Sequence, residues 1–462
     1  MPRTRGGVRA PGFFCQEHRP PHRNPPPGTA GGRAQRRGLR RIGRRRGRPR
    51  GARGRGGGLG VAVFEGVKVL ELGAGAAGPV ATRYFADHGA TVVRIESSRR
   101  PDFLRILFLT PGNPFGLDGS PMFVLMNPNK KSVAVDMSKP EGVEVVRRLV
   151  DWADVVSENF SPKAMAKWGL DYESLRERKP DLLMVSSCLF GQTGPQRMYP
   201  GFGGQGSALS GFNQMAGWPD REAVGPHATI TDSLSPRYVA FLIAAALLHR
   251  RRTGEGQYID VSQIETGVYS LSEMMVRFSA TGEVMERRGN RDERGVPHGV
   301  YPCRGDDRWI AIAIFSDPEW HLLRRALGNP AFSDDPRFDS VDGRRAHEAE
   351  LDACLGRWTC DRDPHELAET LQAAGIEAGP VQTYEDLLGD PQLAHRGHFE
   401  TLHHPHLGEM QFENYAIRLS ESPPRLEAPG PDLGEHTEEV LCDLLGFDAS
   451  EVQRLVEEEV LV

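Results

Sequence analysis

The chemistry of this chain starts with three glycines. Gly73-Ala-Gly-Ala-Ala-Gly78 follows the apolar run Val67-Lys-Val-Leu-Glu-Leu72 and precedes a helical pattern. Small residues between a strand and a helix N-terminus let a phosphate approach backbone N–H groups. Gly-x-Gly-x-x-Gly in that setting is the dinucleotide fingerprint. Glu96 closes the second strand about 20 residues on, where an acid that binds a ribose belongs. The same run also serves as a tight strand-to-helix turn with no ligand, and Pro79 directly after the last glycine departs from the dinucleotide pattern. Six scattered cysteines, Cys15, Cys188, Cys303, Cys354, Cys360 and Cys442, form no CxxC pair and meet no histidine at zinc spacing. This predicts neither a disulfide framework nor a structural zinc, and a reducing, cytoplasmic setting. Cys188 ends a strand and reads as a core thiol.

These residues need a frame. Strands are predicted over 67–72, 91–95, 131–136, 154–157, 182–187 and 258–261, with helices reaching about residue 88 and over 140–150, 171–178 and 236–251. Strands alternating with helices imply an α/β fold with a parallel sheet covered on both faces. Composition changes near residue 285, where Glu286-Arg-Arg-Gly-Asn-Arg-Asp-Glu-Arg-Gly295 reads as a boundary loop. Beyond it lie a predicted strand over 308–314 and helices over 317–327, 343–358 and 364–374. Pro423-Pro424 and Pro429-Gly-Pro431 mark a linker, and helices over about 435–445 and 449–459 close the chain.

The 462 residues carry a net charge of −5 that conceals an asymmetry. Residues 1–60 hold 17 arginines, no lysine and a single acid, Glu17, for a net charge of +16, which leaves −21 on the rest. That segment has too few apolar residues to fold. It reads as an inert tail, as upstream sequence included by an early start codon, as a nucleic-acid tether or as a transit peptide; the serine-free composition speaks against the last. The acidic body argues against a nucleic-acid partner. The longest apolar run, Val239 to Leu248, is half of what a membrane span needs.

Several stretches together resemble the family III CoA-transferases, which include formyl-CoA and carnitine CoA-transferases and α-methylacyl-CoA racemases. They are VKVLELGAGAAGPVATRYFADHGATVVRIE (67–96), NKKSVAVDMSKPEG (129–142), ADVVSENFSPKAMAKWGLDYESL (153–175), FGQTGP (190–195), TGEGQYIDVSQIE (253–265), Trp309, DPRF (335–338), GIEAGPVQT with DPQLAHRG (375–397) and LGEHTEEVL (433–441). The resemblance covers about 63–462. It implies a doubly wound large domain built from both chain ends (61–285 plus 425–462), a smaller middle domain with linker (286–424), and two chains interlocked like linked rings.

It also implies where coenzyme A lies: along the opening turn at Ala74, Ala76 and Ala77, and at Asn159 and Phe160. Family members often carry His and Gln where this chain has Ala74 and Ala76. Lys167 matches a basic residue that meets CoA phosphate. The family's arginine after the second strand is Ser97 here, so Arg99 or Arg100 takes that place. CoA and acyl-CoA are implied as substrates, with a carboxylic acid as acceptor and no permanently bound cofactor.

The family moves CoA between acids through a nucleophilic aspartate. In Pro200-Gly-Phe-Gly-Gly-Gln-Gly-Ser-Ala-Leu-Ser-Gly211 its place is held by Gly203. Glycine is neither a nucleophile nor the general base that racemases place there. No histidine stands between His88 and His227, which removes the racemase's second group. Asp220, Glu222 and Asp232 lie downstream; Asp232 reads as a helix N-cap and none is taken as a replacement. Trp218, Met215, Met274 and Met275 are candidates to line an apolar acyl pocket, although the Met pair at helical spacing also suits a core. Three readings follow: an aspartate-lacking subunit of a heteromeric CoA-transferase of the benzylsuccinate type, a homodimeric acyl-CoA enzyme with an unassigned catalytic residue, and a non-catalytic CoA-thioester-binding protein.

Overall fold

Apolar β-branched runs bounded by small residues become the strands of a six-stranded sheet. In the computed structural model, which describes residues 61–462 apart from 108, 110, 111, 227 and 228, the strands are β1 (Lys68–Leu72), β2 (Thr91–Glu96), β3 (Lys131–Ala134), β4 (Val155–Glu158), β5 (Leu183–Cys188) and β6 (Gln257–Ser262). All pair in parallel, in the order β3-β2-β1-β4-β5-β6. The chain builds outward from β1 to β3 and then returns to the other side of β1. Such a reversal opens a crevice at the carboxyl ends of the two strands that flank it, here β1 and β4.

Successive strand residues point to opposite faces, and both faces are buried. Leu70, Leu72, Val93 and Val156 share one core with Val146, Leu149 and Val150 of a helix over Pro140–Trp152 and with Val440, Leu441, Val452 and Leu455 from the end of the chain. Val69, Val92, Val155 and Val185 share the other with Ala81 and Phe85 of the first helix, Ala77–Ala86, and with Val239, Ile243 and Ala246 of a long helix, Ile230–Thr253. The predicted strands stand within a residue or two of those observed.

The structure forms two compact units. The larger runs to Asn290 and resumes over Gln382–Val462; the smaller is Arg291–Val381. In the smaller, an antiparallel sheet of β7 (His298–Pro302), β8 (Trp309–Ala313) and β9 (Glu377–Val381) packs Ile310 and Ile312 against Trp320, Leu351, Leu355 and Leu371 of its helices. An antiparallel hairpin, β10 (Phe399–His404) with β11 (Gly408–Glu413), belongs to the larger unit. The hairpin lies within 286–424, expected as one segment, yet it groups with the larger unit because Phe412, fully buried, packs with Val124 and Leu426. The 1–60 tail lies outside the described residues. No helix among those described is long and apolar enough to cross a membrane.

Candidate functional site

The crevice between β1 and β4 brings the first set of predicted residues together. Asn159 follows β4 directly, and its side-chain amide reaches across to the opening turn. Its Oδ1 accepts from the Ala74 N–H at 3.0 Å and its Nδ2 donates to the Ala74 carbonyl at 2.8 Å. A Cβ at Gly73 would overlap Asn159 Oδ1, and one at Gly78 would lie 3.0 Å from its Cγ. Gly75 has φ +77°, and a Cβ there would overlap the ring of Phe103. The three glycines of the fingerprint therefore make room for Asn159 and Phe103.

The dinucleotide use does not fit this turn. Two of its N–H groups already have intramolecular acceptors: Ala74 gives its own to Asn159, and Gly75 gives its own to the Asp102 carboxylate at 2.9 and 3.1 Å. Glu96 is buried and receives Arg105 in a two-pronged pair at 2.9 and 3.0 Å together with the Ser132 hydroxyl at 2.7 Å. Burial, the largest influence, pushes its carboxyl up, but the charge of Arg94 together with these donors holds it below the usual range. Glu96 has no free edge for a ribose. Beside it Arg94 contacts Glu71 and Asp102, and Lys130 bonds Glu71 at 2.7 Å. This buried ion network fixes the floor under the turn, because removing either partner would leave a charge unpaired.

The other predicted residues lie as follows. Ala74 and Ala76 are partly exposed at the turn and Ala77 is buried at the start of the first helix. Phe160 packs against the core and meets Trp168 edge-on, with ring centroids 5.6 Å apart. Its N–H donates to Glu158 at 2.7 Å. Burial pushes the Glu158 carboxyl up to about 7. Lys167 is exposed in the last turn of a helix over Pro162–Trp168, without a carboxylate partner among the described residues. Arg99 bridges Asp136 at 3.2 Å and Glu459 at 2.6 Å, so its guanidinium is already paired.

Gly203, which the resemblance sets at the family's nucleophile position, opens a short helix, Gly203–Leu209, whose N-cap is Phe202. The helix packs closely on its neighbours through small residues. A Cβ at Gly206 would overlap Thr231, and one at Gly267 would come within 2.7 Å of Ser210. A Cβ at Gly203 would overlap the Asp232 carboxylate, 2.7 Å from Oδ1 and nearer still to Cγ and Oδ2. Asp232 is therefore not the N-cap that the sequence suggested. Its helix begins at Ile230 behind Thr229, and its carboxylate faces another element, accepting the Gly203 N–H and the Gln263 side-chain amide. Burial raises it to about 6 despite those two donors. The Phe103 ring over Gly75 meets Phe202 edge-on at 5.5 Å, which links the opening turn to this second locus. The signal in the sequence was the run of small residues at 203, 206 and 267, which marks close helix contact but not its partner.

Cys188 carries no activated thiol: burial, with Glu158 and Asp260 nearby, pushes it up to about 11. Among the described residues no cluster of His, Cys, Asp and Glu is arranged to hold a metal.

The family model described as CoA-transferase family III matches residues 64–437. The chain is 35% identical over 398 residues to the succinyl-CoA–D-citramalate CoA-transferase of Chloroflexus aurantiacus, covering 86% of this chain and 98% of that protein. It is 30% identical over 399 residues to the beta subunit of succinyl-CoA–L-malate CoA-transferase from the same organism, covering 86% and 97%. Among solved structures, a CAIB/BAIF family protein from Brucella suis superposes with a TM-score of 0.76 at 32% identity, over 83% of this chain and 99% of that one.

Proposed function

Since the chain belongs to CoA-transferase family III, we propose that it moves coenzyme A from a succinyl-CoA-type thioester to a second short dicarboxylic acid. The observation that carries this reading is the β1/β4 crevice. It joins the turn that carries Ala74, Ala76 and Ala77 to Asn159, which precedes Phe160, through Ala74 at the carboxyl ends of the two strands where the sheet reverses. Parallel sheets take ligands at that point, and those are the positions the resemblance assigns to CoA. The dicarboxylate class is supported by the relatives, whose names pair succinyl-CoA with citramalate and malate.

In this reading Asn159 is the clasp of the CoA site rather than a direct hydrogen-bond partner, since both ends of its amide hold Ala74. Phe160 and Trp168 form the apolar wall for adenine, and Lys167 meets phosphate as a point charge. Arg99 reaches phosphate only by leaving Asp136 and Glu459. CoA is a substrate here and no permanently bound group takes part.

Each protomer pairs with a second chain, in the interlocked manner the resemblance implies. Exposed apolar residues support such pairing. The helix Ile230–Thr253 presents Phe241 at 68% exposure together with Leu242 and Leu248, and the helix Ser272–Thr281 presents Met275, Val276 and Phe278. Apolar side chains grouped like this mark an interface. One relative bears the name of a beta subunit, and this together with Gly203 favours a second reading in which the partner is a homologous subunit with its own aspartate.

The test is a transfer assay. The purified chain is given succinyl-CoA with D-citramalate or L-malate, and thioesters are followed by mass spectrometry. Formation of the acceptor's CoA thioester supports the reading. Absence of CoA affinity by calorimetry contradicts it.

A further inference from the structure

A carboxylate already stands where the side chain of residue 203 would begin. We propose that Asp232 supplies the nucleophilic carboxylate that Gly203 lacks, so that this chain catalyses CoA transfer without an aspartate-bearing partner. The inference rests on the CoA-transferase reading above.

Two independent observations carry it. The first is the overlap: any side chain at position 203 would fall on the Asp232 carboxyl group, so the absence of a Cβ at Gly203 is what admits it. The residue is half-buried and not fully enclosed. It is held by the Gly203 N–H and by Gln263, which comes from the next helix, Gln263–Ser270. The second is Gln263 itself. It is 6% exposed, and while its amide nitrogen serves Asp232, its Oε1 has no hydrogen-bond partner. A buried acceptor without a donor is costly unless a ligand supplies one. The pantetheine arm of CoA carries amide N–H groups of the required kind. Phe202, which precedes Gly203 and touches Phe103 over the opening turn, connects this locus to the proposed CoA crevice.

The chemistry balances with the two substrates alone. An Asp232 oxygen attacks the thioester carbonyl; the C–S bond breaks and CoA leaves as thiolate, giving a mixed anhydride. The thiolate then attacks the aspartyl carbonyl, releasing the donor acid as carboxylate and leaving an aspartyl-CoA thioester. The acceptor carboxylate attacks that thioester and expels the thiolate again. The thiolate takes the acceptor's acyl carbon, and Asp232 is restored as carboxylate. A carboxylate made more basic than usual by burial, yet ionised at neutral pH, suits the first step.

The experiment uses the full chain, purified without any homologue and incubated with succinyl-CoA and hydroxylamine. Hydroxylamine displaces CoA or acid from an activated carboxyl and leaves a hydroxamate that peptide mass spectrometry locates. The expected result is a hydroxamate on Asp232 that depends on succinyl-CoA. In Asp232→Asn it disappears and turnover falls about a thousand-fold or more, while CoA affinity by calorimetry is kept. Gly203→Ala, which displaces the carboxylate without touching its chemistry, lowers kcat with little change in KM. A hydroxamate on another residue, adduct only on an added homologous subunit, or undiminished turnover in Asp232→Asn would overturn the assignment and leave the CoA-transferase reading standing. Absence of both CoA affinity and turnover would overturn both.

Discussion

Asn159 holds Ala74 by both ends of one amide, accepting its N–H at 3.0 Å and donating to its carbonyl at 2.8 Å. The bracket ties the end of β4 to the turn after β1, across the point where the sheet reverses. Asn159→Asp removes the donor and sets a negative charge on the Ala74 carbonyl. The expected loss is about 1–3 kcal/mol in denaturant unfolding, with weakened CoA binding in calorimetry. Unchanged values on both counts would remove the clasp from the account.

The glycines at 73 and 78 exist for that amide. Gly73→Ala puts a Cβ onto Asn159 Oδ1 and should destabilise the fold by about 1–3 kcal/mol through overpacking. Because Glu96 is held by Arg105 and Ser132, NAD should produce no thermal shift in the wild-type chain, whereas CoA should.

Much of this frame was legible in the sequence. Strands buried on both faces read as short, mostly apolar runs, and Val69–Leu72 and Val92–Ile95 are of that kind, each interrupted by one charged residue, Glu71 and Arg94. Other features depend on contacts that spacing cannot give. Glu96 stands where a ribose acid belongs, yet Arg105, from the short helix Phe103–Leu107, pairs with it and with Asp118. The long helix starts at Ile230, six residues before the predicted 236, with Pro236 inside it. Gly203-Gly-Gln-Gly206 is helical although three glycines disfavour a helix, because its missing side chains let it dock against Thr231 and Asp232. The Phe399–Glu413 hairpin is not legible in the sequence because its alternation is short and histidine-rich.

Glu158 gives the fold a pH signature. Its carboxyl is pushed up to about 7 by burial against an ordinary value of 4.5. The folded state therefore keeps a proton that the unfolded state releases, and stability should decline as pH rises from about 4.5 to about 7. The contribution is about 3 kcal/mol across that window at 1.36 kcal/mol per pH unit. Glu158→Gln should flatten this slope in unfolding curves taken across the window; an unaltered slope would assign the dependence elsewhere.

The apolar face of the Ile230–Thr253 helix predicts an oligomer. Phe241→Glu places a charge in a surface proposed to be covered by a second chain, which is strongly unfavourable when desolvated. Light scattering should show the wild-type chain as a dimer and the variant as smaller or poorly soluble. A wild-type monomer would contradict the pairing.

The most direct measurement is the fate of the thioester in a reaction that contains this chain, succinyl-CoA and a short dicarboxylate such as L-malate, with no homologous subunit present. The account predicts that free succinate and the acceptor's CoA thioester appear in equal amounts while total thioester stays constant. Succinyl-CoA that is hydrolysed without transfer, or left intact by a chain that binds no CoA, would contradict it.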